Sequence, residues 1–366
     1  MELTAFDSPA AWHVDEISHD PSWRFELDNA SAAQLASDVT RVFDPDRALL
    51  DYQRDDFDLG PAMDVIHRAA RVAHVGCGIA VVKGLPREHL TEAQFRLLNW
   101  AIGLHLGVAR PQGKMSQYLS EVRADGMNYR SAGGRGYNSN AALDFHTDGC
   151  DLVTLACFNK AKSGGQSIVS SSVSTWNQLL KENPTLAAVA QQEFYFGRNT
   201  EEAPDEEPCY HQPLFDSADG RLFGKWNRNR VRTAQALDGV PQLTKDQTAC
   251  GELLDEILRR PNIMFTMWLE PGDLQIMNNH VMLHSRTTFE DFDAPERKRL
   301  LYRLWLAPPD SVRLPESWWA FFRSIEPGTI RGGIRGHHHD EFRQAFEQRQ
   351  ARLLGMGPSV PLATDA

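Results

Sequence analysis

The sequence has 366 residues, 42% of them hydrophobic and 24% charged, so its composition is that of a globular protein with a large core and excludes a disordered chain. Its 49 acidic residues outnumber the 38 basic ones, and the net charge of −11 argues against nucleic acid or an anionic membrane as a partner. There is no apolar run of about 18 residues and no basic-then-apolar leader. We therefore expect neither a membrane span nor a signal peptide, and we predict a cytoplasmic location.

The first part of the chain is predicted to be mainly helical. Apolar residues spaced by three and four predict helices at 31–43 and 60–73, within an acidic lead-in over residues 1–75. A short β-branched run between glycines at 78–84 predicts a buried strand, and the pattern at 91–106 predicts a helix after it. A helical lead-in followed by the first core strand is the expected order.

Two groups of predicted strands flank a long segment of different character. Residues 172–260 have the pattern of helices and irregular loops, which predicts a helical insertion with a late helix at 245–259. Short alternating or β-branched segments predict strands before the insertion at 118–123, 152–158 and 166–170, and after it at 264–269, 273–277 and 300–306. Because the strand pattern resumes after the insertion, one β-rich framework is expected on both sides of it.

The last segment, 309–366, is predicted to be an extension of the same unit. Its aromatic run at 318–322 is expected to pack on the protein's own core rather than to form an oligomer interface, and whether the protein is a homo-oligomer stays open. The glycine-rich stretch from Arg331 to Arg335 is interpreted as a flexible surface turn, with an anion-binding lid as the alternative. No linker marks a second domain, so we predict a single catalytic domain over residues 1–366.

A histidine and a carboxylate two residues apart are a candidate metal clip, because on a strand both side chains point to the same face. About two such pairs are expected by chance from the composition. The chain has four, namely His13/Asp15, His146/Asp148, His338/Asp340 and His339/Glu341. The first lies in the polar lead-in and the last two open a charged helical stretch, so their side chains are expected to be solvated. His146 and Asp148 lie in the strand-rich zone and are the best-placed pair.

A third ligand and an anion site are expected further along the chain. His280 and His284 both follow the predicted strand at 273–277, and the residues alone leave the choice between them open. Arg299 and Arg303 are spaced by four in an apolar strand pattern, so they share a face. Because a buried guanidinium needs a counter-charge, these arginines predict an anionic ligand or a protein acid.

Four motifs together resemble the taurine dioxygenase-like (TauD/TfdA) branch of the Fe(II)/2-oxoglutarate-dependent oxygenases, which includes clavaminate synthase-like enzymes. They are His146-Thr-Asp148, the Lys-Ser-Gly-Gly-Gln-Ser run at 162–167, the Asn-His-Val-Met-Leu-His run at 279–284 and the Lys-Arg-Leu-Leu-Tyr-Arg run at 298–303. The resemblance implies that His146, Asp148 and His284 are the iron ligands and that His280 is not one. Two imidazoles and one carboxylate on one octahedral face leave three positions open, two for the 2-oxo acid and one for O₂.

The resemblance also implies where 2-oxoglutarate binds. It assigns Arg299 to the distal carboxylate of the cosubstrate, assisted by the Ser167 hydroxyl. It places Arg303 closer to the metal, in contact with the cosubstrate or with an acidic substrate. A substrate with an anionic group is the corresponding expectation, and a structural ion pair with a protein acid such as Asp144 or Asp273 is the alternative for Arg303.

The family further implies a fold class and a reaction. The expected fold is a β-rich α/β unit, a double-stranded β-helix (jelly roll) over 76–308 with flanking helices and the insertion at about 172–260. The expected reaction uses Fe(II), 2-oxoglutarate and O₂, converts 2-oxoglutarate to succinate and CO₂, and hydroxylates or similarly oxidises a small molecule. Asp148 argues against halogenation. The alternatives are a catalytically silent jelly-roll protein that binds metal or ligand, and an iron oxygenase that does not use 2-oxoglutarate.

Overall fold

The computed structural model describes residues 1–126 and 138–357. The helices in these ranges are α1 (Val14–His19), α2 (Asn29–Val42), α3 (Pro61–Val75), α4 (Glu92–Leu106), α5 (Ser172–Glu182), α6 (Pro184–Ala190), α7 (Arg228–Ala234), α8 (Lys245–Leu258), α9 (Trp319–Phe322) and α10 (Glu341–Leu353). The strands up to the insertion and within it are β1 (Arg24–Glu26), β2 (Ile79–Lys83), β3 (Val108–Arg110), β4 (Leu119–Val122), β5 (Leu152–Asn159), β6 (Ser163–Gly164), β7 (Ser167–Ser171), β8 (Phe194–Gly197), β9 (Cys209–Gln212), β10 (Phe215–Ala218) and β11 (Arg221–Gly224). The strands after it are β12 (Met264–Met267), β13 (Leu274–Asn278), β14 (Met282–Arg286), β15 (Phe289–Glu290) and β16 (Leu300–Ala307).

The helices predicted in the first hundred residues are confirmed, and their ends have local causes. Helix α4 begins after Thr91, whose side chain accepts from the Gln94 backbone N–H while the Gln94 side chain caps the Thr91 backbone. Helix α3 has Pro61 in its first turn, where a missing N–H costs nothing. None of the helices in the described ranges combines the length and apolarity that crossing a bilayer requires.

The strands form a large and a small sheet. The large sheet has the order β1-β2-β13-β5-β16-β3, and β4 also pairs with β16. All its pairings are antiparallel except that of β1 with β2. The small sheet has the order β12-β7-β14, and β6 pairs with β15 beside it. Every predicted core strand is present, whereas short strands such as β3, β14 and β15 were not predicted.

Alternation along β16 separates two hydrophobic clusters. Leu301 and Trp305 belong to a cluster that also contains Val169 and Leu283 of the small sheet. The intervening side chains, on the opposite face, pack with helices α2, α3 and α4, and these are Leu300, Tyr302, Leu304 and Leu306. The period-two alternation of a strand explains this division. The face of the large sheet that looks toward the small sheet therefore also carries Arg303.

The prediction that the insertion is helical is only partly correct. Helices α5 to α8 lie within 172–260, but two β-hairpins, β8/β9 and β10/β11, lie there as well. Each of these strands has four residues; β9 alternates buried with more exposed positions, with the polar Gln212 among the buried ones, and the other three show no regular alternation. The sequence therefore carried too short a period-two signal for them, and cross-strand pairing determines their structure.

The C-terminal extension packs against the core. Trp318, Phe321 and Phe322 are buried, as predicted for the aromatic run, whereas Trp319 in the same run is 42% exposed. The interpretation of the glycine-rich stretch as a flexible surface turn is wrong, because Arg331 is 1% exposed. Its guanidinium donates to the Asp151 carboxylate, with Nε at 3.0 Å from Oδ1 and Nη2 at 2.5 Å. A buried ion pair therefore fixes this stretch to the segment that follows Asp148.

Candidate active site

Two histidines and one aspartate meet at one end of the sheets. His146, Asp148 and His284 each offer a ligand atom, and these atoms lie within 4.8 Å of one another. The backbones of His146 and His284 form an antiparallel bridge, with N···O distances of 3.0 and 2.9 Å in the two directions. Since His284 lies on β14, this bridge holds His146 beside that strand and next to His284. This arrangement places His284, one of the two candidate histidines, beside His146 and Asp148.

The two imidazoles are suited to bind a metal as neutral ligands. His146 Nδ1 donates to the Asp144 carbonyl at 2.9 Å, which leaves its Nε2 for a metal. Burial, together with the neighbouring His146, lowers the pKa of His284 to about 3. Burial likewise lowers the pKa of His146. Both rings are therefore neutral at pH 7, which is the form that coordinates metal.

Asp148 is held as a carboxylate by its neighbours. Burial alone would raise its pKa, but Arg303, His284 and His146 outweigh burial, and the pKa lies below the ordinary aspartate value. Arg303 Nη1 lies 3.3 Å and Trp305 Nε1 2.8 Å from Asp148 Oδ2. One neutralising charge and one hydrogen bond thus orient the acid toward the two histidines. The donor set of two neutral imidazoles and one ionised carboxylate fits Fe(II).

A cavity of about 390 Å³ surrounds this cluster. That volume lies in the range of small-molecule sites. Its wall includes all six residues assigned to iron or cosubstrate from the sequence, which are His146, Asp148, Ser167, His284, Arg299 and Arg303. Residues that lie far apart in the sequence are thus brought to one chamber between the two sheets.

Arg299 is a buried cation whose guanidinium has no hydrogen bond or ion pair within the described ranges. It is 6% exposed, and its Nη1 is buried without a partner there. Burial lowers the pKa of Arg299 to about 10, so it remains charged at pH 7. Gly165 approaches closely, since a Cβ at that position would lie 3.2 Å from Arg299 Nε. A buried, charged and unpaired guanidinium on a cavity wall is the arrangement that an incoming carboxylate requires.

Ser167 and Arg303 have protein partners in addition to facing the cavity. The Ser167 hydroxyl donates to Gln275 Oε1 at 2.9 Å. Arg303 Nε donates to Gln112 Oε1 at 2.9 Å, and the acid with which Arg303 forms an ion pair is Asp148. The alternative partners suggested for Arg303, Asp144 and Asp273, are therefore wrong, because the acid that neutralises it is the candidate iron ligand itself.

His280 occupies a different environment from the metal cluster. Its Nε2 lies 2.9 Å from Asp151 Oδ1, the carboxylate that Arg331 also contacts. The ring is 3% exposed and points into this ion-pair cluster. Of the histidines in the other histidine–carboxylate pairs, His338 is exposed. His339 is half-buried, with its Nε2 3.0 Å from Glu347 Oε1. His339 is thus less solvated than predicted, because its ring pairs with a buried acid.

Several cavity residues were not found by sequence reasoning. Arg286 follows His284 by two on β14, and its position on the same face was a period-two signal that could have identified it. Burial and the charge of Arg299 lower the pKa of Arg286 to about 9. Lys225 and Arg230 come from the insertion, and Ile334 from the C-terminal extension. No local pattern pointed to these three, since only the folded chain brings them to the cavity.

Paired sheets that carry two histidines and a carboxylate beside a cavity define a non-haem iron oxygenase. The sequence model of the taurine catabolism dioxygenase TauD, TfdA family matches residues 46–305, which is more than half of the chain. The chain therefore belongs to this family. It is an Fe(II)/2-oxoglutarate-dependent dioxygenase, as the resemblance implied, and it uses Fe(II), 2-oxoglutarate and O₂.

Individual relatives agree with the family. FR-33289 synthase from Streptomyces rubellomurinus is 28% identical over 314 residues, covering 84% of this chain and 92% of that protein. An asparagine oxygenase in complex with Fe(II), hydroxyasparagine and succinate superposes with a TM-score of 0.58 at 19% identity, over 78% of this chain and 93% of the other. The non-haem iron oxygenase OrfP in complex with Fe and alpha-ketoglutaric acid superposes with a TM-score of 0.56 at 15% identity, over 77% of this chain and 93% of the other. At these identities the two structures show a shared fold.

Proposed function

We propose that this dioxygenase hydroxylates, or similarly oxidises, a small molecule at the cavity that contains His146, Asp148 and His284. The observation that carries the proposal is that this cluster shares one cavity with the unpaired guanidinium of Arg299. A protein that only bound metal would have no need of a buried, uncompensated cation beside the ligands.

The three ligand side chains would hold Fe(II), which with 2-oxoglutarate and O₂ supplies the oxidising power for attack on a substrate C–H bond. Two neutral histidines and Asp148 would hold the ion from the protein side, and the cosubstrate and O₂ would bind it from the cavity. Arg303 and Trp305 keep Asp148 ionised and oriented. The apolar walls around the cluster, including Leu155 and Leu301, limit the access of water to the reacting groups.

Arg299 would bind the distal carboxylate of 2-oxoglutarate. Ser167, at the start of β7, would add a hydroxyl donor, for which its hydrogen bond to Gln275 must be exchanged. We assign to Arg303 the inner carboxylate of the cosubstrate as well as Asp148, because its guanidinium lies against the metal ligand. The bound 2-oxoglutarate would then extend from Arg299 to the metal cluster along the wall of the large sheet.

The fold supports the same proposal. We interpret the large sheet and the small sheet as the two faces of a double-stranded β-helix, since both line one cavity and share one hydrophobic cluster. We also retain the single domain over residues 1–366, with the core at 76–308. The asparagine oxygenase named above was crystallised with hydroxyasparagine, which makes small polar metabolites a reasonable first substrate class.

Succinate formation tests the proposal directly. The purified protein with Fe(II), 2-oxoglutarate and O₂ is expected to release succinate slowly alone and faster with a substrate, and a panel can begin with asparagine and arginine. Absence of succinate under all conditions, with iron bound, would favour the silent binding protein. O₂ consumption without 2-oxoglutarate would favour the other class of iron oxygenase.

Arg299→Ala is expected to weaken 2-oxoglutarate binding by about 10- to 150-fold, because it removes a charge-assisted contact of roughly 1.5–3 kcal/mol. Iron affinity should be nearly unchanged. Ser167→Ala should weaken 2-oxoglutarate binding by about 1 kcal/mol, which is about fivefold in affinity. Oxygen-free calorimetric titration of the iron-loaded protein measures both. Arg313→Ala, at an exposed surface pair with Glu326, is the control. An Arg299→Ala protein with wild-type affinity would remove the anchor from the proposal.

Arg303→Gln is expected to weaken both Fe(II) and 2-oxoglutarate binding, because the side chain contacts the ligand Asp148 and faces the cosubstrate. Loss of a partner that orients a metal ligand typically costs 10- to 100-fold in metal affinity. Arg303→Lys keeps the charge and should recover most of the iron affinity. Separate titrations of iron and cosubstrate distinguish the two roles. A variant that lost only thermal stability would show that Arg303 is structural.

A further inference from the structure

Lys225 is a buried cation on the cavity wall that lacks a counter-ion. It is 5% exposed, and within the described ranges no carboxylate oxygen lies within ion-pair distance of its ammonium group. Its hydrogen bond is a long one, 3.4 Å from Nζ to the backbone oxygen of Asp148. The ring of Phe321 lies 5.2 Å away. Burying an uncompensated ammonium group is costly unless a ligand supplies the missing charge.

The insertion places Lys225 directly beside the metal cluster. The segment after β11 runs antiparallel to residues 146–148: the Thr147 N–H donates to the Trp226 carbonyl at 3.0 Å, and His146 forms a bridge with Asn227. Lys225 is thereby adjacent to Asp148, on the wall that the insertion contributes. These backbone contacts hold Lys225 in place, so its ammonium group is preorganised next to the metal cluster.

Lys225 and Arg299 belong to different electrostatic neighbourhoods. Lys225 lies near Arg230, Asp148 and Cys150, whereas Arg299 lies near Cys157 and Asp291. The cavity thus has two basic ends, one for the cosubstrate and one formed by the insertion.

Neighbouring charges at the insertion end are already balanced. Arg230 donates to Glu201 Oε2 at 2.8 Å and to the Gly197 carbonyl at 3.0 Å. Asp148 is paired with Arg303. These contacts leave Lys225 as the cation at this end without a carboxylate partner in the described ranges.

A strained turn borders the same end of the cavity. Asn199 and Thr200, both on the cavity wall, have φ angles of 59° and 60°. Two consecutive non-glycine residues in the left-handed region cost energy, and such conformations concentrate at ligand sites. The Asn199 side chain accepts from the Thr233 hydroxyl at 2.6 Å, which helps to hold the turn.

We propose that Lys225 binds an anionic group of the oxidised substrate, such as a carboxylate, sulfonate or phosphonate, and is a positioning residue that determines specificity. This inference rests on the proposed function, since it takes Arg299 and the metal cluster as the cosubstrate site. The substrate would extend from the ammonium group of Lys225 into the cavity beside His146, Asp148 and His284.

Small probes test this without knowledge of the natural substrate. The protein loaded with Fe(II) and 2-oxoglutarate is kept free of oxygen and titrated by ligand-observed NMR with butyrate, ethanesulfonate, ethylphosphonate and neutral butyramide. We expect at least one anion to bind at least about tenfold more tightly than butyramide. Lys225→Met should weaken that binding by about 10- to 150-fold, the loss of one charge-assisted contact. Lys160→Met, at an exposed lysine paired with Glu270, is the matched control and should bind as the wild type does.

The outcomes separate this inference from the proposed function. Iron and 2-oxoglutarate titrations come first, and their failure in the wild type would count against the proposed function rather than Lys225. If both bind but anions bind no better than butyramide, or Lys225→Met leaves anion binding unchanged, the inference is wrong. It is equally wrong if Lys225→Met weakens 2-oxoglutarate instead of the probe. If Lys225→Met does not unfold cooperatively, and so is not properly folded, Lys225→Gln gives the same comparison with a polar side chain.

Discussion

Asp148→Ala is expected to abolish turnover and to weaken Fe(II) binding by more than about 100-fold, beyond what the loss of an orienting partner costs. The change removes the only anionic ligand of the cluster and leaves Arg303 buried beside two imidazoles. His146→Ala and His284→Ala should behave alike, since each removes one of three converging ligands. Oxygen-free iron titration and succinate release are the two measurements.

Two histidine variants serve as controls for the ligand assignment. His338→Ala, at an exposed side chain, should retain wild-type iron affinity and activity. His280→Ala should lower stability, because its ring contacts the buried Asp151, yet the variant should still bind iron. Full loss of iron in His280→Ala beside an active His284→Ala would reverse the choice of ligand.

Arg331→Met is expected to lower the free energy of unfolding by about 3–5 kcal/mol, the cost of leaving a buried charge unpaired. The side chain is fully buried against Asp151, and burial without Arg331 would favour the neutral acid. Arg331 also holds the stretch that includes Ile334 against the cavity, where the Gly333 N–H donates to the Gly149 carbonyl at 2.6 Å. Urea unfolding measures the stability, and substrate-stimulated succinate release measures the effect on the cavity.

A double-variant cycle separates the ion pair from the packing. Arg331→Met combined with Asp151→Asn removes both charges and should recover part of the lost stability. Arg313→Met, at the exposed pair with Glu326, should cost less than about 1 kcal/mol. A loss of similar size in both single arginine variants would show that the Arg331 pair has no special role.

The predicted secondary structure succeeds where the pattern is long. Helix α4 has fifteen residues and a capping box, and strand β16 is a run of eight continuously buried residues, so each is long enough to be predicted from its own segment. Strands β8 to β11 have four residues each, and of these four only β9 alternates buried with more exposed positions. Their pairing energy comes from the partner strand, which a local pattern does not contain.

The sequence singles out His146, Asp148, Arg299 and Arg303, because these residues lie in short motifs whose spacing has a local meaning. The choice of His284 and the cosubstrate role proposed for Arg299 follow from the family resemblance. His146 and Asp148 are two residues apart, and Arg299 and Arg303 lie four apart at one strand. The surroundings of Lys225 and Arg331 depend on the fold. Lys225 contacts the backbone oxygen of Asp148 and Arg331 contacts the carboxylate of Asp151, which lie 77 and 180 residues away in the chain. Whether a buried cation is paired depends on which distant carboxylate the fold places beside it, and no local spacing carries that information.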